Sequence, residues 1–439
     1  MKLDTIVAPA TPPGRSALAI VRIDGPASNS ILTSITKAVL PPVRHAAFVH
    51  IYKDADALDE CIAIRYEAPH SFTGNDLVEL TLHGNPLLVE RVIATCVELG
   101  ARIAEPGEFT ERAVLNGKID LVQAESIADL INARTVLQAK LSLSNLEGVL
   151  SRNAAAVRQT LLEVIARLEA ALDFSEEGYE FITPEEARTR VAGALERLEA
   201  MAETYRRGRA TTAGLSAVIL GRPNAGKSTL LNRLVGSDRA IVTPIPGTTR
   251  DIVRETIEIG GLPVTLADTA GLRASDDVVE GIGIERARQA AAQADLVLYL
   301  VDGTVGLTTE DECELAGVDN VLLIYTKADL AGATTAPEAL SISAVSDAGM
   351  TELLTRLDEL VRNRFAAPEG ALVNERQRLA VDEAILGMRA AMETLALGLD
   401  EQMVVVDLYR SANALGALTG AITRDDILDE IFSKFCIGK

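Results

Sequence analysis

Cysteine and histidine are scarce in this chain of 439 residues, which has only four of each. The four cysteines are far apart and include no Cys-x-x-Cys pair. They are Cys61, Cys96, Cys313 and Cys436. The histidines, which also lack the spacing of a ligand cluster, are His45, His50, His70 and His83. A disulfide framework and a zinc site both require grouped ligands. We therefore expect neither, nor any other transition-metal site, and interpret the first three cysteines as small hydrophobic residues.

Basic residues are few relative to acidic ones. Lys and Arg number 42 against 63 Asp and Glu, which gives a net charge of −21. Broad contact with a nucleic-acid backbone needs clustered cations that displace counterions, so any RNA contact should be local or made through a partner protein. The one basic cluster, "YRRGR" with Arg206, Arg207 and Arg209, is either a solvated linker or such a local contact.

Long apolar runs are missing as well. No stretch approaches the ~20 residues of a membrane-spanning helix. The opening "MKLDTIVAPATPPGRS" lacks the apolar core of a signal peptide. We therefore expect a soluble, cytoplasmic protein.

The patterning predicts several domains, since the chain is too long for a single hydrophobic core. Short β-rich runs such as "ALAIVRI" and "LVELTLHG" open the chain, helical periodicity follows, and strands then alternate with helices before helical periodicity returns. This order predicts a doubly wound α/β domain inserted into a helical domain. The predicted limits are 1–118 (α+β), 119–212 (helical, first part), 213–365 (α/β) and 366–439 (helical, second part).

Local capping signals accompany this pattern. In "TPEE", Thr183 is the predicted N-cap of a helix, Pro184 its first residue, and Glu186 the residue that closes a capping box.

The stretch "GRPNAGKST" matches the phosphate-binding pattern Gly-x-x-x-x-Gly-Lys-[Ser/Thr] and lies between a predicted strand and a predicted helix. Gly221 and Gly226 let main-chain amides turn towards phosphate. Lys227 supplies a cation for the β and γ phosphates, and Ser228 a ligand for magnesium. The sequence therefore predicts a nucleotide-binding site.

Two further segments complete the phosphate side of this site. "GTTRD" offers Thr249 as a second hydroxyl for magnesium. "DTAG" ends a strand and places Asp268 near the magnesium shell and Gly271 near the γ phosphate.

The base is predicted to be guanine. In "TKAD", Asp329 can accept protons from both N1 and the 2-amino group of guanine, whereas adenine would leave it unpaired. Lys327 would lie over the base, and Ser343 with Ala344 of "SISA" would close its far side.

Together, "TIVAPATPPGR", "PGEFTERAVLNGKIDL", "GRPNAGKS", "GTTRD", "DTAGLR" and "FCIGK" resemble the MnmE (TrmE) family of tRNA-modification GTPases, within the translation-factor-related class. The resemblance covers the whole chain. It implies a multidomain α/β protein with an N-terminal α+β tetrahydrofolate-binding and dimerisation domain, a discontinuous all-α helical domain and an inserted Ras-like G domain. It also implies a GTP hydrolase that takes part in tRNA modification. The implied GTP-binding residues are Asn224, Ala225, Gly226, Lys227, Ser228, Thr229, Thr243, Thr248, Thr249, Asp268, Thr269, Ala270, Gly271, Thr326, Lys327, Asp329, Ser343 and Ala344. One of them, Thr326, stands where the family commonly has asparagine.

The resemblance also implies how GTP is hydrolysed. Leu272 follows "DTAG" where many GTPases have a glutamine that orients the attacking water, and leucine cannot do this. In the family a glutamate takes part, which corresponds here to Glu280. A potassium ion supplies the charge that an arginine finger supplies elsewhere. Its implied ligands are Asn224, Thr243, Ile245 and Thr248, while those of magnesium are Ser228 and Thr249.

For the N-terminal domain the resemblance implies a one-carbon donor, 5-formyl- or methylene-tetrahydrofolate, bound by Arg22, Glu79, Lys118 and Lys439. The tail "FCIGK" would bring Cys436 and Lys439 to this pocket, with Cys436 as a catalytic residue beside the one-carbon unit. Whether its thiol is a nucleophile, a proton carrier or a positioning group is left open by the sequence.

The implied assembly is a homodimer that joins a FAD-dependent tRNA-modification subunit of the MnmG (GidA) type in a heterotetramer. The partner would carry FAD and most of the tRNA contact. The implied function is potassium-activated GTP hydrolysis coupled to 5-(carboxymethyl)aminomethyl-type modification of the wobble uridine, position 34, of certain tRNAs. The alternative is a regulatory GTPase switch in ribosome assembly, which has no use for the folate motifs or the terminal cysteine.

Overall fold

The computed structural model describes residues 4–174, 181–237, 239–241, 254–268, 289, 291–316, 318, 320–330, 332, 340–398, 401–421, 428, 431–432, 435 and 438. Within these residues no helix is both long and apolar enough to cross a membrane.

The N-terminal part is a six-stranded sheet with three helices. Its elements are β1 Ile6–Pro9, β2 Leu18–Asp24, α1 Ser28–Thr36, β3 Ala47–Lys53, β4 Asp56–Tyr66, β5 Leu77–His83, α2 Pro86–Glu98, β6 Arg102–Ile103 and α3 Glu108–Leu115. The strand order is β3-β4-β5-β2-β1-β6. All neighbouring pairs are antiparallel except β1 and β6.

Side chains alternate between the two faces of this sheet, as the strand period requires. Val78, Leu80 and Leu82 of β5 are buried in one core with residues of α1 and α2. Glu79 therefore points to the opposite face, directly across from Arg22 of β2. The alternation in "LVELTLHG" thus separates a core face from a face that carries charge.

The helical part consists of two groups of helices that are separated in sequence. They are α4 Leu121–Asn132, α5 Val136–Leu146, α6 Val149–Asp173, α7 Pro184–Glu203 and α8 Tyr205–Ala213 before the second sheet, and α12 Glu375–Leu397 and α13 Glu401–Thr419 after it. Both groups contribute to one hydrophobic core, which includes Leu161 and Leu198 from the first and Met388 and Leu408 from the second. The discontinuous helical domain is confirmed.

An ion pair fastens the two groups of helices together. The Glu125 carboxylate of α4 accepts hydrogen bonds from Nε and Nη2 of Arg376, at 2.6 and 2.8 Å, and from the Gln377 amide at 2.8 Å. Both Glu125 and Gln377 are buried. Removal of either charge would leave the other with a large desolvation cost.

The cap predicted at Thr183 is present, but the capping box is not. Thr183 Oγ1 accepts a hydrogen bond from the Glu186 amide at 3.0 Å. The Glu186 carboxylate instead accepts hydrogen bonds from Arg167 and Arg190, each at 3.0 Å. Two nearby guanidinium groups compete successfully with a single main-chain amide for this carboxylate.

The inserted part is a second six-stranded sheet. Its elements are β7 Leu215–Gly221, α9 Lys227–Val235, β8 Arg254–Ile259, β9 Leu262–Asp268, β10 Leu296–Asp302, α10 Thr309–Leu315, β11 Val321–Thr326, β12 Leu340–Ser341 and α11 Met350–Phe365. The strand order is β12-β11-β10-β7-β9-β8, parallel except for β8 at the edge. The predicted multidomain α/β class is confirmed, while the limits at 118, 212 and 365 stay predictions.

The basic cluster belongs to a helix. Arg206, Arg207 and Arg209 lie in α8, which leads directly into β7, and all three are exposed. Arg207 Nε donates to the Ala366 carbonyl at 2.6 Å. The segment is therefore not an irregular linker, and a local RNA contact there stays a prediction.

Candidate functional sites

The phosphate-binding loop connects β7 to α9. Gly221 closes β7 with a φ of 132°, and any Cβ at this position would overlap the Leu300 carbonyl oxygen of β10. Only glycine is compatible with this close approach. The loop then delivers Lys227, Ser228 and Thr229 to the first turn of α9, where free amides and the helix dipole favour an anion.

The lysine of this loop is held by the loop itself. Lys227 Nζ donates to the carbonyl oxygens of Gly221 and Arg222, each at 2.8 Å. Asn224, at the top of the loop, has a left-handed φ of 66°, and Ala225 is buried. The ammonium group is thus positioned over the loop, where phosphate oxygens would bind.

Thr326 ends β11 and joins it to the phosphate loop. Its hydroxyl donates to the Ala225 carbonyl at 2.8 Å and lies 3.2 Å from the Val301 carbonyl of β10. The side chain is buried. A threonine at this position therefore still connects the base-binding turn to the phosphate loop.

The two segments predicted to enclose the base are neighbours. The Ala328 amide donates to the Ile342 carbonyl at 3.1 Å, which places the "TKAD" turn beside "SISA". Ser343 is buried, and its hydroxyl accepts from the amides of Val345 and Ser346. Ala344, next to it, is half-buried, and the Asp329 carboxylate is exposed on the turn.

Lys327 pairs with an acid of the neighbouring strand. Its Nζ lies 2.6 Å from Asp302 Oδ2, and its own φ is 61°. Burial alone would raise the pKa of Asp302, but hydrogen bonds from Lys327 and Thr304 outweigh this effect and lower it. Asp302 is therefore a carboxylate at neutral pH, and it orients the Lys327 stem.

Of the remaining predicted residues of the nucleotide and potassium sites, Asp268 alone lies within the described residues. Asp268 is the last residue of β9, and only its main chain is described. Those that lie outside the described residues are Thr243, Ile245, Thr248, Thr249, Thr269, Ala270, Gly271 and Glu280.

A polar cavity of about 280 Å³ opens on the charged face of the N-terminal sheet. It is lined by Arg44, Tyr66, His70, Ser71, Phe72, Leu77, Glu79 and Lys118. Two of the three described residues predicted to bind folate, Glu79 and Lys118, thus meet in one cavity.

Arg22, the third, lies beside the cavity and holds Glu79. Arg22 Nε donates to Glu79 Oε1 at 2.8 Å, and its guanidinium lies 5.5 Å from the centre of the Phe72 ring. Tyr66 Oη donates to the other Glu79 oxygen at 3.3 Å. Burial raises the pKa of Tyr66, and Glu79 adds to this effect while Arg22 and Arg44 oppose it. Tyr66 is therefore a neutral donor to Glu79.

One wall of the cavity is a loop, residues 67–76, that is held in place by hydrogen bonds to Asp24 and Asn116. Asp24, fully buried at the end of β2, accepts hydrogen bonds from Thr73 and from Asn75, the latter at 3.0 Å. Arg112 of α3 neutralises Asp24 through a bond of 2.9 Å. Asn116 adds a bond to the Thr73 carbonyl at 2.7 Å.

Three lining residues, Arg44, Tyr66 and Phe72, have no functional signal in the sequence. None of them belongs to a recognised motif, and they reach the cavity from a loop, from the end of β4 and from the 67–76 loop, respectively. An isolated tyrosine next to a charge pair becomes visible only once strand register is known.

The C-terminal tail docks against the N-terminal sheet. Phe432 and Phe435 are buried in a cluster with Leu121. Gly438, with a φ of 96°, lies so close to the Pro9 carbonyl oxygen that any Cβ there would overlap it. Cys436 and Lys439, the two tail residues predicted to reach the cavity, lie outside the described residues.

Two protein-family models match the chain. One, described as the MnmE helical domain, matches residues 121–436. The other, described as the GTP-binding protein TrmE N-terminus, matches residues 5–118.

Full-length relatives are similar over almost the whole chain. A protein of Koribacter versatilis named "tRNA modification GTPase MnmE" is 42% identical over 451 residues, which cover 99% of each chain. A protein of Aquifex aeolicus with the same name is 39% identical over 448 residues, covering 99% of this chain and 100% of that one. The solved structure of Aquifex aeolicus Era Y63A with GDP and AlF4− is 27% identical, covering 40% of this chain and 67% of that one, at a TM-score of 0.27 that is too low to carry weight.

The matches extend over both the N-terminal and the helical parts, and the identity holds from end to end. The chain therefore belongs to the MnmE family of tRNA modification GTPases.

Proposed function

We propose that this chain is a potassium-activated GTP hydrolase that modifies the wobble uridine, position 34, of certain tRNAs. Acting with a FAD-dependent partner, it forms the 5-(carboxymethyl)aminomethyl-type group from a tetrahydrofolate one-carbon donor. The observation that carries this proposal is the presence in one chain of a phosphate-binding loop and of a cavity that joins Glu79 to Lys118. The relatives' shared name supports it.

The alternative, a regulatory switch in ribosome assembly, needs only the nucleotide site. It gives no role to a cavity that combines an acid, two cations and two aromatic side chains. Nor does it explain a tail whose Gly438 is fitted against β1. The tRNA-modification function is therefore favoured, and a tRNA substrate implies a cytoplasmic protein.

The residues of the phosphate-binding loop fit GTP with magnesium and potassium. Ser228 follows Lys227 in the first turn of α9, where a hydroxyl can ligate magnesium together with Thr249. Asn224, lifted by its left-handed backbone, presents an amide oxygen suited to a hard cation such as potassium, with Thr243, Ile245 and Thr248 as the other proposed ligands. Both ions would offset the charge that develops on the phosphates.

Within this site each residue has a proposed task. Asp329 selects guanine, and Lys327, held by Asp302, covers the base. Glu280 orients the attacking water, because Leu272 has no polar group to do so.

The N-terminal cavity fits the ring of a reduced folate. Glu79 can accept two hydrogen bonds from the amidine-like edge of the pterin, and Arg22 and Tyr66 already fix its orientation. Lys118 would meet a carbonyl or carboxylate group. Pro9, which contacts Gly438, follows Ala8, the strand partner of Arg22. This contact supports the proposal that Cys436 and Lys439 act at the cavity.

A homodimer is proposed from the same sheet face. Leu18, Phe48 and Ile62 are 59%, 63% and 36% exposed and extend the face of Arg22 towards the edge strand β3. Apolar side chains clustered on an open sheet face are typical of protein contacts. A second copy there would cover them, and a FAD-dependent subunit of the MnmG type would complete a heterotetramer.

This partner would also make most of the tRNA contact. With a net charge of −21, the chain itself is poorly suited to hold a polyanion.

The test is nucleoside mass spectrometry on tRNA from cells that lack this chain. We expect the modified wobble uridines to vanish, to return with the intact chain, and not to return with Cys436→Ser. A matched variant, Cys313→Ser on the exposed surface of α10, should restore them. Modified uridines that persist in the deletion would favour the regulatory switch. Their return with Cys436→Ser would make Cys436 structural.

A further inference from the structure

Two cations stand side by side at the mouth of the N-terminal cavity. Lys118 Nζ donates to the Pro69 carbonyl at 2.9 Å, and Arg44 Nη2 donates to the next carbonyl, that of His70, at 3.2 Å. Both side chains are exposed and both line the cavity. They are thus held by adjacent peptide groups of the 67–76 loop.

Neither cation has an acidic partner within the described part of the chain. There no carboxylate lies within ion-pair distance of Arg44 or Lys118, whereas Arg22, Arg65, Arg102 and Arg112 of the same domain are all paired with acids. Two neighbouring positive charges repel each other unless an anion lies between them. The pair is therefore suited to bind a carboxylate or phosphate.

The main chain of Arg44 is held in an unusual conformation. Its φ is 59°, in the left-handed region that non-glycine residues rarely adopt. The Arg44 amide donates to the Arg65 carbonyl at 2.9 Å, which fixes Arg44 beside the end of β4 and Tyr66. Strained positions of this kind are found preferentially at binding sites.

Both signs of charge line the cavity. Glu79 is its hydrogen-bond acceptor and is held by Arg22 and Tyr66. Arg44 and Lys118 are its cations, and both are exposed. At about 280 Å³ the cavity is at the lower limit for a small-molecule site, so it can hold a bicyclic ring but not a whole folate. The rest of such a ligand must leave through the mouth.

We propose that Arg44, together with Lys118, binds the carboxylates of the folate's glutamate tail, so that the protein prefers polyglutamylated folate. This inference rests on the proposed folate function. The inference adds Arg44 as a residue that determines ligand specificity without contacting the one-carbon unit.

The test compares three ligands on the full-length chain by calorimetry. They are 5-formyltetrahydropteroate, which has no glutamate, 5-formyltetrahydrofolate with one glutamate, and its triglutamate. We expect affinity to rise with each step, by about tenfold from the first ligand to the last, since exposed charge-assisted contacts are modest. Added salt should reduce this ratio.

In Arg44→Gln the ratio of triglutamate affinity to pteroate affinity should fall to about one third or less of its native value. Binding of the pteroate itself should be retained. Arg44→Lys should restore part of the ratio. The matched control is Arg91→Gln, an exposed arginine of α2 that does not line the cavity, which should keep the native ratio.

Three outcomes would count against a proposal. If the native chain binds none of the ligands, the folate function itself fails. If it binds all three equally, or if Arg44→Gln weakens all three by the same factor, the folate function stands and the role of Arg44 in specificity is wrong.

Discussion

Thr326 donates a hydrogen bond to the main-chain carbonyl of Ala225, 2.8 Å away, and so ties the turn that binds the base to the loop that binds phosphate. Thr326→Val keeps the shape but removes the donor. Because a buried carbonyl then loses its partner, we expect GDP affinity to fall about tenfold. Thr326→Ser should retain most of the GDP affinity, because the hydroxyl donor is kept. Fluorescent-nucleotide titration measures both, and a native affinity in Thr326→Val would show that this bond does not support the loop.

Asp329 is expected to choose the base. In Asp329→Asn the amide can no longer accept both protons of guanine but can donate to the 2-oxo group of xanthine. We expect the GTP:XTP affinity ratio to fall at least about a hundredfold, because unmatched polar groups discriminate strongly. Glu352→Gln, an exposed acid of α11, is the control. An unchanged ratio in Asp329→Asn would exclude the proposed contact.

Potassium should be required for rapid hydrolysis. Replacing it with sodium at equal ionic strength should lower GTP turnover at least about tenfold, since charge on the transferring phosphate is then less well offset. Asn224→Ala should reduce the difference in GTP turnover between potassium and sodium. Equal turnover of the native chain in both salts would contradict the ion site.

Asp24 should support the N-terminal domain through the 67–76 loop. Asp24→Ala removes the acceptor of Thr73 and Asn75 and one counter-charge of buried Arg112. Breaking a buried pair from one side is costly, and we expect a loss of about 3 kcal/mol in the unfolding transition of this domain. Asp24→Asn should cost less, because its amide oxygen still accepts a bond.

The control for Asp24 is Asp54→Asn. Asp54 occupies a turn with a φ of 50°, which asparagine tolerates well, so its effect should stay within about 0.5 kcal/mol. Equal stability of Asp24→Ala and the native chain would mean that the loop is held by other contacts.

Asp129 of α4 should make the stability depend on pH. Burial, reinforced by the Glu125 charge, raises the pKa of Asp129 from 3.8 to about 6. Between these values the folded chain keeps a proton that the unfolded chain has released, so this contribution is present below pH ~4 and is lost as pH rises through ~6.

Asp129→Asn should therefore flatten the pH profile and raise stability at pH 7.5 by at most about 3 kcal/mol. Urea unfolding at several pH values measures this, with Asp54→Asn as the matched change at an exposed turn. A native-like profile in Asp129→Asn would show that another group titrates.

Much of the fold could be predicted because its signals are local. The alternation of apolar residues in "LVELTLHG" and the glycines and lysine of "GRPNAGKST" depend only on neighbours in sequence. The partner of Glu186 could not be predicted in the same way, since Arg167 comes from another helix.

The N-terminal cavity likewise combines features that the sequence predicts with features that depend on tertiary packing. Family resemblance predicts Glu79 and Lys118, but the placement of Arg22 opposite Glu79 depends on strand register. The pairing of Arg44 with Lys118 depends on one loop that offers two successive carbonyls. Such relationships arise from tertiary packing and leave no periodic trace in the sequence.

The shared core of the two helix groups has a consequence for synthesis on the ribosome. Helices α4 to α8 emerge first, yet the core that buries Leu161 and Leu198 is completed by Met388 and Leu408 from α12 and α13. The whole inserted sheet must be translated in between. Because exposed apolar faces promote aggregation, the face of α6 that α13 later covers is an aggregation risk during that interval.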